Sequence, residues 1–339
     1  MDFKRSSKLN IAILHPDLGI GGAERLIVDA AVELASQGHK VHVFTAHHDK
    51  NRCFEETVAG TFPVTVYGSF LPRHVFYRLH AVCAYLRCLL VALGMLFLWP
   101  SFDVVLVDQV SVVIPLLKLK RATKVVFYCH FPDLLLAQHT TALRRLYRKP
   151  IDFLEETTTG MADMILVNSK FTASTFARTF KHLHARGIQP AVLYPAVNVE
   201  QFEEPHSSKQ GVSDRVKFVT SCSTAERNDL LSECLCVIYT PKDEHFGIVP
   251  IEAMAAHKPV IACNSGGPVE SVKDGVTGFL CDPTAQAFSQ AMAKFLEDPD
   301  VAKSMGRDAR RHVADSFATR IFGQRLNQYV TSIAGTKQE

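Results

Sequence analysis

Short uninterrupted apolar runs alternate along the chain with stretches of helical periodicity. Ile11 to Leu14, Val41 to Phe44, Asp103 to Val107, Lys124 to Tyr128 and Met164 to Val167 each read as a strand buried on both faces. Apolar residues fill successive positions there instead of every second one. Between the first two runs, Arg25 to Gln37 places Leu26, Ala30 and Leu34 on one helical face, and Gly38 supplies the stop. Leu235 to Thr240 and Val260 to Cys263 repeat the strand pattern, each followed by a loop and a helical stretch. Strand, helix and strand in this alternation predict an α/β fold with parallel sheets. Within the first half, Pro150 is expected to end one helix and Glu155 and Glu156 to open the next.

One segment departs from this pattern. Leu79 to Trp99 is apolar almost throughout, with a charge-free run of 12 residues from Cys88 to Trp99. A bilayer span takes ~20 residues. Two readings follow: a core helix packed on the sheet, or a helix at a membrane surface with Trp99 at the boundary. Arg73, Arg78, Arg87, Lys118, Lys120 and Arg121 would favour anionic lipid in the second.

At 339 residues and 47% hydrophobic composition, the chain can bury two sizeable cores. The polar stretch Val199 to Gly211 marks the expected boundary, giving domains of residues 1–200, carrying segment 79–99, and 201–339. A net charge of +3 is too small to mark a nucleic-acid binder. Nine cysteines, an odd count without a CxxC pair, read as free thiols in a reducing compartment.

Candidate chemistry gathers at strand ends. Glu244 lies on the loop after Thr240, and Glu252 is expected in the first turn of the following helix. Phe246, Gly247 and Ile248 separate them. Gly247 allows close backbone approach, and the free N–H groups of a helix start favour anions. The next strand ends in Asn264-Ser-Gly-Gly-Pro268, with Gly266 and Gly267 at a second helix entrance. Adjacent βα loops of this kind line the carboxyl edge of a parallel sheet, where ligands of open α/β sheets bind. Spacing alone is met equally well by two solvated glutamates. Near the N-terminus, Gly19, Gly21 and Gly22 form a glycine-rich turn, but Glu24 stands where a dinucleotide fingerprint needs its third glycine. Gly21 and Gly22 still admit a phosphate or sugar. His130 follows a central strand and can donate a hydrogen bond to a sugar, although a histidine satisfied by backbone fits the same pattern. A glycosidase would also use paired carboxylates. Asp298-Pro-Asp300 has the spacing of a metal-binding pair, but it follows a helix and reads as a surface turn.

Taken together, Gly21–Gly22, Tyr128 to Pro132, the Glu244 and Glu252 pair and Asn264 to Pro268 resemble the motifs of the retaining glycosyltransferases of GT-B fold, family GT4. Residues 15–25, Thr158 to Asp163 and Glu244 to Pro250 are similar to those members that add α-1,3 and α-1,6 mannose to a dolichol-linked oligosaccharide. The resemblance implies an α/β, GT-B type architecture of two Rossmann-like domains facing a cleft, the second shortened. It implies GDP-mannose as donor, a dolichyl-diphosphate oligosaccharide as acceptor, and no cofactor or metal. By the same resemblance Glu252 would accept hydrogen bonds from the nucleotide ribose and Glu244 would sit by the transferred mannose. Backbone amides near Phe246, Gly247, Ile248, Gly266 and Gly267 would approach sugar or diphosphate, with His130 and Gly22 completing the donor site. The place implied is the cytosolic face of the endoplasmic reticulum membrane, with other mannosyltransferases as possible partners and no nucleic acid.

One departure from the family stands out. Members carry an Arg/Lys pair in the first strand–helix loop of the second domain, which neutralises the leaving diphosphate. Here the opening two strand–helix units are missing between about Phe202 and Arg215. Lys217 and Arg227 lie outside the context needed to replace the pair. A catalytically impaired chain that acts as a non-enzymatic partner at the membrane is therefore the alternative expectation.

Overall fold

The computed structural model describes residues 8–74, 79–136, 142–202, 219 and 222–335. The chain divides into two compact units, one of Met1–Leu193 with Phe322–Glu339 and one of Tyr194–Ile321. Halves cut at residue 200 do not coincide with these units, because the last helix returns to the first.

The first unit holds a seven-stranded, all-parallel sheet in the order β3-β2-β1-β4-β5-β6-β7. Its strands are β1 (Asn10–His15), β2 (Lys40–Thr45), β3 (Val64–Val66), β4 (Val104–Asp108), β5 (Lys124–Cys129), β6 (Met164–Val167) and β7 (Ala191–Val192). The apolar runs behave as their pattern predicts: every residue of β4, and all but the first of β1 and β5, is buried. The order reverses between β1 and β4, so the carboxyl ends of those strands flank the switch point of the sheet.

Among the described residues, seven α-helices belong with these strands: α1 (Gly22–Ser36), α2 (His80–Leu98), α3 (Ile114–Leu117), α4 (Asp133–Leu136), α5 (Ala142–Thr159), α6 (Lys170–Thr179) and α7 (Lys181–Ala185). Pro150 does not end a helix; α5 runs through it, and Glu155 and Glu156 lie in its last turns. Segment 79–99 forms α2. One face, including Cys88, Val91, Ala92 and Met95, packs into the core, while Leu86, Phe97 and Leu98 are exposed. Among the described residues it is the one helix long and apolar enough to cross a membrane, and a third of its most apolar stretch is buried. Trp99 is not placed as a free boundary residue. Its indole N–H donates to the Tyr67 hydroxyl at 2.9 Å, and its ring stands edge-on to Phe44.

The second unit has a three-stranded parallel sheet in the order β10-β9-β8. Its elements are β8 (Val237–Tyr239), β9 (Val260–Cys263), β10 (Gly278–Cys281), α8 (Thr224–Glu233), α9 (Ile248–Ala255), α10 (Pro268–Ser271), α11 (Ala285–Glu297) and α12 (Pro299–Ser316). Asp298-Pro-Asp300 is a helix start: the Asp298 side chain accepts the Asp300 N–H and caps α12. The central strand β9 is buried throughout, and Ile251, Met254, Val313 and Phe317 pack over the sheet. Burying each such side chain contributes about 1.5–3 kcal/mol. The last helix, α13 (Thr319–Gly335), packs on the first unit. Gly323 lies against the Glu33 side chain of α1, and Asn327 meets His39 at 2.7 Å.

Candidate functional site

In the second unit the two βα loops interlock. The Gly267 N–H donates to the Glu244 carbonyl at 2.7 Å, and the Asp243 N–H donates to the Ser265 hydroxyl at 3.0 Å. Such contact leaves no room for a side chain. A Cβ on Gly266 would stand 2.4 Å from the Glu244 carbonyl oxygen, and one on Gly267 only 2.2 Å from the Phe246 backbone. Gly266 also has φ of +66°, and Gly247 at the start of α9 has φ of +80°. L side chains are disfavoured in that region. Glu244, Phe246, Gly247, Ile248, Gly266 and Gly267 are thus brought together by the fold. The Gly267 amide, expected to approach a ligand, is instead taken by Glu244, so this glycine locks the loop.

The two acids are held differently. Glu244 Oε2 accepts a hydrogen bond from the Tyr239 hydroxyl at 3.2 Å, and Oε1 accepts the His245 N–H at 2.9 Å. Tyr239 also lines the Gly247 turn, where a Cβ would meet its ring at 3.2 Å. Glu252 is the fifth residue of α9, one turn deeper than the first-turn position its spacing suggested. It pairs with Arg227 on α8 at 2.8 Å. Burial pushes the Glu252 carboxyl above the ordinary range, and Arg227 pulls the other way. Arg227 is therefore in contact with a site acid and not remote from it; Lys217 and the break at 202–215, past Phe202, lie outside the described residues.

In the first unit, three side chains meet at the switch point. His15 ends β1, Asp108 ends β4 and His130 follows β5. The His15 Nδ1 is 2.7 Å from Asp108 Oδ2. The His130 Nε2 lies 2.8 Å from Asp108 Oδ1, close but off the line of a well-formed hydrogen bond. Asp108 is fully buried. Burial alone would raise its carboxyl; the two histidines outweigh that and hold it below the usual range. The backbone turns sharply there, since Gln109 has φ of +61°. On the neighbouring loop, Gly21 is the residue before α1, with the Glu24 side chain folded over it. A Cβ at Gly22 would meet no described atom within 4 Å, so packing inside the unit does not demand a glycine. Asp108, His15, Tyr239 and Arg227 are the partners that spacing did not single out. Asp108 carried the one legible signal, a charged residue at the end of an all-apolar strand.

Comparison with known proteins fits this geometry. A family model described as Glycosyltransferase Family 4 matches residues 20–201, more than half of the chain, and one described as Glycosyl transferases group 1 matches 196–312. The chain belongs to glycosyltransferase family 4. Its family-4 relatives include the alpha-1,3/1,6-mannosyltransferase ALG2 of Homo sapiens, 41% identical over 405 residues, with 96% of each chain covered. The protein of the same name from Dictyostelium discoideum is 38% identical over 421 residues, covering 97% of this chain and all of the relative. Solved structures with similar folds include a sucrose-phosphate synthase from Thermosynechococcus elongatus (TM-score 0.76, 18% identity, 97% of this chain and 100% of that one). The catalytic domain of starch synthase IV from Arabidopsis thaliana superposes with TM-score 0.74 at 13% identity, over 97% of this chain and 100% of that one. The fold is accordingly α/β of the GT-B type.

The family match also measures the shortening. An alignment of 421 positions against 339 residues leaves at least 82 positions (421 less 339) where the Dictyostelium relative has residues and this chain has none. These gaps lie inside the matched region. Among the described residues, β8 pairs with β9 alone.

Proposed function

We propose that this family-4 enzyme transfers mannose, α-1,3 and then α-1,6, from GDP-mannose to a dolichyl-diphosphate-linked Man1GlcNAc2 acceptor with retention of anomeric configuration. The observation that carries the reading is the interlocked pair of loops holding Glu244 against Gly266 and Gly267, in a chain 38–41% identical to relatives named alpha-1,3/1,6-mannosyltransferase.

In this reading Glu252 takes the ribose hydroxyls and Glu244 stands beside the mannose. Tyr239, by donating to Glu244, turns that carboxylate in a fixed direction. The amides around Phe246 to Ile248 face the anionic part of the donor, where a helix start favours negative charge. In the first unit, Asp108 orients His130 for a hydrogen bond to a sugar hydroxyl, and the open Gly22 admits close approach of backbone. No metal is given a role. The exposed apolar face of α2 seats the first unit at the cytosolic face of the endoplasmic reticulum membrane, near its lipid-linked acceptor and other mannosyltransferases.

A second reading has its own observation. Among the described residues the sheet of the second unit has three strands, and in this reading the diphosphate-neutralising Arg/Lys pair that the family resemblance implies falls in the part the chain lacks. Each lost donor to a developing anion can lower turnover by roughly 10²–10³. A chain that binds donor yet turns it over poorly, and serves as a partner of an intact enzyme, follows from this. Transfer of label from GDP-mannose to the lipid acceptor separates the two. Robust formation of the two-mannose extension supports the enzyme. Donor binding without transfer, with co-purification of an intact transferase, supports the partner; absence of both binding and transfer refutes the donor assignment altogether.

A further inference from the structure

The Arg227 guanidinium is engaged with Glu252 through a single nitrogen. Its Nη1 meets Glu252 Oε1 at 2.8 Å, its Nη2 has only a 3.5 Å contact with the neighbouring Asn228, and its Nε is buried without a partner among the described residues. Arg–carboxylate pairs are frequently closed by two nitrogens. Here Arg227 engages a single oxygen of Glu252, and among the described residues no donor reaches Oε2. The helix that carries Arg227 is firmly begun. Ser223 and Glu226 form a reciprocal capping box at its start, and the Arg227 N–H bonds the Ser223 carbonyl at 3.0 Å. Asn228 next to it donates to the Gln201 carbonyl at 3.3 Å. The guanidinium thus approaches Glu252 from an anchored backbone, with the Glu252 side chain only 17% exposed.

We propose that Arg227 is a positioning residue for donor recognition, holding Glu252 turned so that its free oxygen accepts the ribose hydroxyls of the nucleotide. The proposal rests on the reading of Glu252 as the ribose acceptor and extends it to a residue on another helix. The physical requirement is simple. Two hydroxyl donors need a charged acceptor of fixed direction, and a half-buried carboxylate without a cation drifts toward its neutral form. A pairing through one oxygen supplies both conditions and leaves the second oxygen for the ligand. It also places a positive charge beside an acid that would otherwise repel the nucleotide phosphates.

The test uses the full chain and two ligands, GDP and 2′,3′-dideoxy-GDP, titrated calorimetrically into wild type, Arg227→Ala and Arg227→Lys. Wild type is expected to prefer GDP by roughly tenfold or more, since a site built around a hydroxyl rejects the analogue lacking it. Arg227→Ala is expected to bring the two affinities within about twofold, chiefly by weakening GDP, and Arg227→Lys to keep most of the preference. A merely structural role would weaken both ligands alike. If Arg227→Ala does not fold, Arg227→Gln retains the side-chain stem and carries the same comparison. The proposal is overturned if the charge-removing variant keeps the preference for GDP, or if it binds GDP more tightly, which would make Arg227 a competitor of the ribose. Should wild type bind GDP but show no preference, the ribose assignment of Glu252 fails and the proposal falls with it. No binding of either ligand by wild type overturns the donor reading itself.

Discussion

In the seven-stranded sheet, β1, β4 and β5 each lie between two neighbours, and the side chains that gather at their ends are shielded by the strands themselves. In the three-stranded sheet, β8 has one neighbour among the described residues, and Ile238 is 45% exposed. Both sheets are made from the same kind of apolar run. The difference lies in what surrounds each run, and it changes how each unit holds its acids. Asp108 is enclosed, with His15 and His130 beside its two oxygens at the switch point. Glu244 and Glu252 stand on a loop and a helix beyond a strand that has no outer neighbour among the described residues, and each meets one side chain, Tyr239 or Arg227. A complete sheet positions its site by burial. In the second unit interlocking loops do so.

Glycine replacement gives the largest contrast between the two units. Gly267→Ala drives a methyl into the Phe246 backbone and is expected to cost the second unit roughly 3 kcal/mol and abolish detectable GDP binding. Gly22→Ala enters open space at a helix start and is expected to change stability by less than ~1 kcal/mol, because alanine is the better helix former. Circular dichroism melts with GDP titration check both. Equal losses in the two variants would erase the distinction between a glycine locked by packing and one left open.

Next in size is Asp108→Asn. Removing one carboxylate oxygen beside His15 and His130 is expected to destabilise the first unit by roughly 2–3 kcal/mol, since the buried hydrogen bond between His15 and Asp108 is disrupted. Trp99, the single tryptophan of the chain, lies in the first unit, so urea unfolding followed by its fluorescence reads that unit alone. An unchanged midpoint would show that enclosure and not charge holds the switch point together.

A pH series sharpens the comparison further. Glu155 accepts N–H bonds from Asp133 and Leu134 at 2.7 and 3.1 Å, and burial pushes its carboxyl up to about 7. Asp29, also in the first unit, is raised by burial to about 6 against the pull of Arg25. Both groups hold a proton more tightly folded than unfolded. Their contribution to stability is therefore greatest at low pH, and it is lost as pH rises, from about 3.8 to about 6 for Asp29 and from about 4.5 to about 7 for Glu155. The tryptophan-detected stability of the first unit is expected to be about 2 kcal/mol greater at pH 5 than at pH 8, because each tenfold gain in proton affinity on folding is worth ~1.4 kcal/mol and solvent screening takes back part of it. Glu155→Gln should flatten most of that slope. A slope of the opposite sign would remove burial as the dominant influence.

The smallest effect belongs to β8, which has one neighbour among the described residues. Ile238→Lys is expected to leave stability within ~0.5 kcal/mol and to reduce self-association, as charges do on exposed strand edges. Light scattering against concentration measures it. A loss of stability comparable to that of Gly267→Ala would mean that the edge is covered.

Much of the fold was legible in the chain because burial on both faces of a parallel sheet demands uninterrupted apolar runs, and those runs named β1, β2, β4, β5, β6, β8 and β9 directly. Gly247, Gly266 and Gly267 were legible because only glycine tolerates such approach or such dihedrals, and Glu244 because it stands on the loop beside them. Other features depended on neighbours distant in sequence. Pro150 sits inside α5, α13 returns to pack beside α1, and Arg227 meets Glu252 across 25 positions. Local propensity says nothing about such partners. Periodicity decides which residues are buried, whereas the packing of one element on another decides which charged groups touch, and that second step exists only in three dimensions.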